Sequence, residues 1–185
     1  MKEIRVASRY AKALFDLAME RNELEAVMND ARLISDVCRS SREFLRMLRS
    51  PVIKPAVKKS VMHKVFENKV TQLTLQFVDI ITRNGREALI EPIAEQFLVL
   101  YRKHKNILPV DVRSAAPLSE ELKKKIVGLL TKESDADIEL HESVDPDLIG
   151  GFVLEADDTQ IDASVRRKLK DLERDFEVNP YEKGY

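Results

Sequence analysis

Histidines, a cysteine, serines and acids are what chemistry would recruit in this chain, and their spacing organises none of it. His63, His104 and His141 lie far apart in three different predicted elements. None has a second His or a Cys at the short interval a metal ion needs, so surface histidines are expected. Cys38 is the one cysteine, which excludes an internal disulfide and any multi-cysteine zinc site. It falls on the apolar side of its predicted helix, where a buried structural thiol is expected in place of a nucleophile. Ser164 follows Asp162, but no glycine elbow surrounds it and no histidine comes after it. Gly150-Gly151 lacks the Lys-Ser/Thr of a phosphate loop and the third glycine of a dinucleotide fingerprint, and reads as close backbone packing or a strand bulge. Asp157, Asp158 and Asp162 lack the central glycine and closing glutamate of a calcium loop, and read as a solvated turn. No catalytic residue, no cofactor and no metal are expected.

The charges point to organisation. Lys+Arg number 31 and Asp+Glu 32, a formal net charge of -1. Residues 1–105 carry +7 and residues 106–185 carry -8. An asymmetry of this kind suggests two domains with different surfaces and partners. Lys58-Lys59 with Arg42, Arg46 and Arg49 would be the phosphate contacts of a nucleic-acid binder. No aromatic platform or recognition-helix motif accompanies them, so a solvated helical surface is expected. No apolar run approaches ~18 residues, so no membrane-spanning helix is expected. The opening stretch lacks the apolar core and cleavage site of a signal peptide.

Periodicity supplies the elements. Residues 4–21 place Val6, Tyr10, Ala13, Leu14 and Leu17 at helical spacing, with alanines that permit close helix approach. Further helical segments are predicted over 23–38, around 44–48, from Pro55, over 71–84 and over 89–105. Ser50-Pro51 ends the third, and Gly85 stops the fifth. Six short amphipathic helices predict an N-terminal six-helix bundle over 1–105. The period then changes to two at Leu108, Val110 and Val112, with Pro109 suggesting an edge or a strand start. A helix opened by Ser119, a strand with Ile138 and Leu140, a third strand over 148–155, a fourth over 159–162 and a closing helix from Ala163 follow. Asp162 is a possible cap for that last helix. The fold class is α+β, mostly α, with a small C-terminal α/β domain over 106–185. The residues alone describe a two-domain binding or scaffolding protein.

Several segments together resemble the delta subunit of the F-type ATP synthase, the oligomycin-sensitivity-conferring protein family. They are Arg9-Tyr10-Ala11-Lys12-Ala13-Leu14-Phe15, Leu48-Arg49-Ser50-Pro51, Asn84-Gly85-Arg86 and Glu95-Gln96-Phe97. The most specific run from Val144 through Gly150-Gly151-Phe152 to Leu154, and then from Ile161 to Arg166. The similarity covers about residues 4–177. Asp157-Asp158 and Ala163 depart from the family pattern at the hairpin and the helix entry.

The resemblance implies a non-catalytic stator subunit that links the catalytic head to the peripheral stalk, so that rotor torque drives proton-coupled ATP synthesis. It implies that the bundle receives the N-terminal helix of an alpha subunit in a groove between its first and fifth helices. Carried onto this chain, the groove uses Tyr10, Ala11 and Leu14 with Phe77, Val78 and Ile81. Apolar spacing does not separate groove from core at these six positions, and Leu14→Asp or Ile81→Asp is expected to weaken binding if they line a groove. The resemblance further implies that 106–185 meets the b subunits of the stalk, that no nucleic acid is bound, and that membrane contact comes only through the complex. The place implied is the cytoplasmic face of a bacterial membrane. A generic helical adaptor or a nucleic-acid-binding bundle is the alternative.

Overall fold

A computed structural model describes residues 2–133, 136–156 and 159–177. The chain divides into two compact units, Met1–His104 and Lys105–Tyr185. It is mostly helical with one small four-stranded sheet, an α+β fold.

The first unit contains α1 (Lys2–Glu20), α2 (Leu24–Ser40), α3 (Arg42–Arg49), α4 (Pro55–Phe66), α5 (Gln72–Arg83) and α6 (Ile90–Lys105), with a 3-10 turn at Glu87–Leu89 before α6. Side-chain oxygens set two of the starts: Ser41 accepts from the Phe44 N–H, and Thr71 from the Thr74 N–H. Ser50 is extended before Pro51 and stops α3, as the steric clash with the proline ring requires. On α1, Ala7, Ala11, Leu14 and Ala18 form the buried stripe, and the small side chains let neighbouring helices approach closely. α2 contributes Val27, Ala31, Ile34 and Cys38, and α6 contributes Ile93, Ala94 and Phe97. Phe15 tilts against Phe97 with ring centres 5.8 Å apart.

Lys58 departs from the solvated surface expected of its cluster. It is only 3% exposed. Its Nζ donates to the Leu48 carbonyl at 2.8 Å and to Glu87 Oε1 at 2.6 Å. It therefore ties α4 to the end of α3 and to the turn before α6. A charge run viewed along one helix cannot reveal that a partner 29 residues away will bury one member. Glu87 Oε2 has no protein partner, so the pair is only partly satisfied.

The second unit holds β1 (Ile107–Ser114), α7 (Glu120–Glu133), β2 (Asp137–Val144), β3 (Phe152–Ala156), β4 (Thr159–Asp162) and α8 (Val165–Glu177). The strand order is β2-β1-β3-β4. β1 runs parallel to β2, with α7 as the crossover, and antiparallel to β3, which pairs antiparallel with β4. Val110, Val112, Ile126 and Leu154 make the core. β1 is thus an inner strand, and Pro109 is tolerated because pairing with β3 begins only at Val110.

Two local expectations are corrected. β3 begins at Phe152, so Gly150-Gly151 precede the strand. Gly151 has φ +79°, and a Cβ there would lie 2.4 Å from the Ala163 carbonyl oxygen. The close backbone approach read from the glycines is real, but it belongs to the turn that receives α8. The α8 cap is Ser164, whose Oγ accepts from the Arg167 N–H at 3.2 Å, while Asp162 accepts from the Ser164 N–H. Hydrogen bonds from Ser164 hold the Asp162 carboxyl below its ordinary range. The Asp157-Asp158 turn and the tail beyond Glu177 lie outside the described residues.

Lys58→Met leaves Glu87 buried without a counter-charge. It is expected to destabilise the N-terminal unit by about 3–5 kcal/mol in urea unfolding, with Lys58→Met/Glu87→Leu recovering most of the loss. A loss below about 1 kcal/mol in the single variant would place the pair among weak surface bridges.

Candidate functional site

The start of α5 is fixed from α2. Asp30, 5% exposed, accepts at Oδ2 from the Thr71 N–H at 2.8 Å and from the Thr71 and Thr74 hydroxyls, each at 2.6 Å. Donors to a charged acceptor make strong hydrogen bonds and offset the cost of burying the carboxylate. The far end of α5 is closed by Gly85 at φ +65°. Its N–H donates to the Thr82 carbonyl and the Arg86 N–H to the Ile81 carbonyl, both at 3.0 Å, which satisfies two otherwise orphaned helix-end carbonyls.

Between these two points, α5 lies beside α1. Tyr10 and Phe77, both half-buried, meet edge to face with centroids 6.3 Å apart. Arg86 donates from its guanidinium to the Tyr10 hydroxyl at 2.8 Å, and its Cζ lies 5.5 Å from the Tyr10 ring centre. Leu14, Phe77, Val78 and Ile81 line one apolar hollow of about 340 Å³ with residues of α2 and α6. Only about 20 Å³ of it admits the centre of a water molecule, so it is a packed seam with no open channel.

Of the six expected partner residues, Ala11, Leu14, Val78 and Ile81 are buried in the free chain, and Tyr10 and Phe77 reach the surface. Leu14 and Ile81 are 4% and 0% exposed, so an aspartate at either would break the core before it reported on binding. Arg86 was not among the six. The Asn84-Gly85 stop that turns the chain back marks the residue that follows it, but its contact is 76 residues away.

α5 also binds α4 on another face. Asp79 accepts from Lys59 at 2.8 Å and lies 2.7 Å from His63 Nε2. Burial pushes the Asp79 carboxyl up, but the hydrogen bonds from Lys59 and His63 outweigh it and hold the group below its ordinary range. Cys38 is fully buried, and burial, aided by the charges of Glu91 and Glu95, pushes its thiol up to about 12, the state of an inert structural thiol. Among the described residues no group of His, Cys, Asp and Glu could hold a metal ion, and no helix is long and apolar enough to cross a membrane.

The chain matches the family described as ATP synthase delta (OSCP) subunit over residues 6–176. It is 38% identical to the ATP synthase subunit delta of Christiangramia forsetii, covering 98% of each chain. It is 33% identical to the same subunit of Cytophaga hutchinsonii over 95% of this chain and 96% of that one. Among solved structures, a chain of the Toxoplasma gondii mitochondrial ATP synthase hexamer superposes with a TM-score of 0.70 at 25% identity, covering 94% of this chain and 98% of that one.

Asp79 has a lowered folded-state pKa, so its stabilising share is present above the unfolded value, about 4, and is lost as pH falls through the folded value. The stability gap between the native chain and Asp79→Asn, at most about 1 kcal/mol for so exposed a cluster, is expected at neutral pH and should vanish in acid. Urea unfolding across that pH range checks it, and a gap that persists unchanged in acid would contradict it.

Proposed function

The chain belongs to the ATP synthase delta (OSCP) subunit family, and from that premise we propose a division of labour between its two units. It is a non-catalytic stator subunit of the F-type ATP synthase, linking the catalytic head to the peripheral stalk so that rotor torque drives ATP synthesis. The six helices of the N-terminal unit act as one bundle that receives the N-terminal helix of an alpha subunit across the α1–α5 seam. The observation that carries this reading is the pair Tyr10 and Phe77, two aromatic side chains left half-buried in edge-to-face contact, Phe77 also lining the apolar hollow. Because that hollow is packed, the reading seats the helix over the seam, above Leu14, Val78 and Ile81, with Ala11 buried beside them. Covering such a patch yields about 25 cal/mol per Å² of apolar area, before the cost of association.

The C-terminal unit meets the b subunits of the stalk. On α8, Val165, Leu169, Leu172 and Phe176 stand exposed at helical spacing. An apolar helix stripe left open to water supports a helical partner, as the long b subunits supply. The bacterial relatives support a place at the cytoplasmic face of the membrane, reached through the complex.

Calorimetry of the full chain with a peptide of the alpha-subunit N-terminal helix tests this reading. The native chain is expected to bind, and Tyr10→Ala or Phe77→Ala to weaken binding by about tenfold or more, as truncated aromatic anchors do, with an unchanged circular-dichroism spectrum. A folded native chain that ignores the peptide would overturn the assignment of this face. Salt-sensitive binding of DNA or RNA in its place would favour the nucleic-acid alternative.

A further inference from the structure

We propose that Arg86 selects the partner at this seam: the docking helix carries a carboxylate on its flank, and Arg86, held against Tyr10, receives it. The inference rests on the partner-binding reading above and adds the chemistry of the partner. Gly85 turns the chain so that Arg86 leaves α5 across α1. The guanidinium has five N–H donors in a planar fork, and the Tyr10 hydroxyl takes one of them. The hydrogen bond to the Tyr10 hydroxyl and the ring beside it restrain the fork, which reduces the rotamer freedom lost when an acid docks.

What distinguishes Arg86 is that its guanidinium is held against Tyr10 and yet has no acidic partner among the described residues. Elsewhere in the same unit Arg39 pairs with Glu95, Arg49 with Glu91, Lys58 with Glu87 and Lys59 with Asp79. Arg86 is exposed and has no ion pair among the described residues. Arg9, exposed and one residue before Tyr10, has none either, nor do Arg5 and Lys12 further round α1. Residues 1–105 carry +7 overall, so the local field draws in negative charge. A carboxylate fits the fork with two parallel hydrogen bonds. A phosphate would fit it too, but Tyr10 meets Phe77 edge to face and Phe77 lines an apolar hollow, an arrangement that suits the apolar face of a helix better than stacked bases.

The test is calorimetry of the full chain with the alpha-subunit N-terminal peptide and with the same peptide whose acids are changed to amides, at low and high salt. Arg86→Gln is expected to bind the native peptide about tenfold more weakly and with less salt dependence, while Arg86→Lys keeps the salt dependence and part of the affinity. The amide peptide is expected to bind the native chain as weakly as it binds Arg86→Gln, because both changes remove one contact. Equal affinity of Arg86→Gln and the native chain for the native peptide would overturn the inference and leave the docking face standing. Penalties from amide and Arg86→Gln that simply add would overturn it in the same way. Failure of the native chain to bind either peptide would overturn both readings together. Displacement of the peptide by a single-stranded oligonucleotide through Arg86 would show a phosphate site and overturn the carboxylate.

Discussion

The buried Asp30 carboxylate fixes α5, and most of what the N-terminal unit presents depends on where α5 lies. A carboxylate out of water is costly unless hydrogen-bonded, and here three donors from the first turn of α5 converge on one oxygen. Thr71 is at once the helix cap and a donor to Asp30, so the helix cannot start elsewhere without leaving the acid unsatisfied. At the other end the left-handed Gly85 closes the helix and sends Arg86 to Tyr10. With both ends set, Phe77, Val78 and Ile81 have little freedom in how they face α1. A surface fixed in this way pays little ordering entropy when a partner arrives. It also suits a part that must bear torque without yielding.

The C-terminal unit is organised by a different constraint. Gly151 brings its backbone so close to Ala163 and Ser164 that no side chain fits, and Gly150 accepts the first N–H of α8. The helix is thereby attached at its start to the turn that leads into β3. Its own ion pairs, Arg167 and Arg174 with Asp171, run along its polar face, and its apolar stripe stays open. Each unit therefore has its own core and its own unspent surface, the arrangement a two-ended connector needs. The near-cancelling charges of the two halves, +7 and -8, follow the same division.

Much of this was legible in the residues. The six helical segments, the change of period after Lys105 and the cap at Ser119 all follow from local rules that need no partner. What was not legible came from distant pairing. Lys58 looks like any solvated lysine until Glu87 and the Leu48 carbonyl are placed around it. Asp30 is one acid among many until Thr71 and Thr74 converge on it. The six residues that the resemblance puts in a groove have apolar or aromatic side chains, but period alone cannot say that Leu14 and Ile81 are buried while Tyr10 and Phe77 reach water. Asp162 was misjudged as the α8 cap because Asp and Ser serve equally well by type, and only the path of the chain past Gly151 selects Ser164.

The central claim is that the chain holds the catalytic head through the α1–α5 face of its N-terminal unit. Amide chemical-shift mapping of the labelled full chain, titrated with the alpha-subunit N-terminal helix, tests it most directly. The account predicts the largest shifts at Tyr10, Leu14, Phe77, Gly85 and Arg86, with α3 and the sheet of the C-terminal unit unmoved. Shifts centred on α3, on the sheet or on α8, with the α1–α5 seam silent, would contradict it.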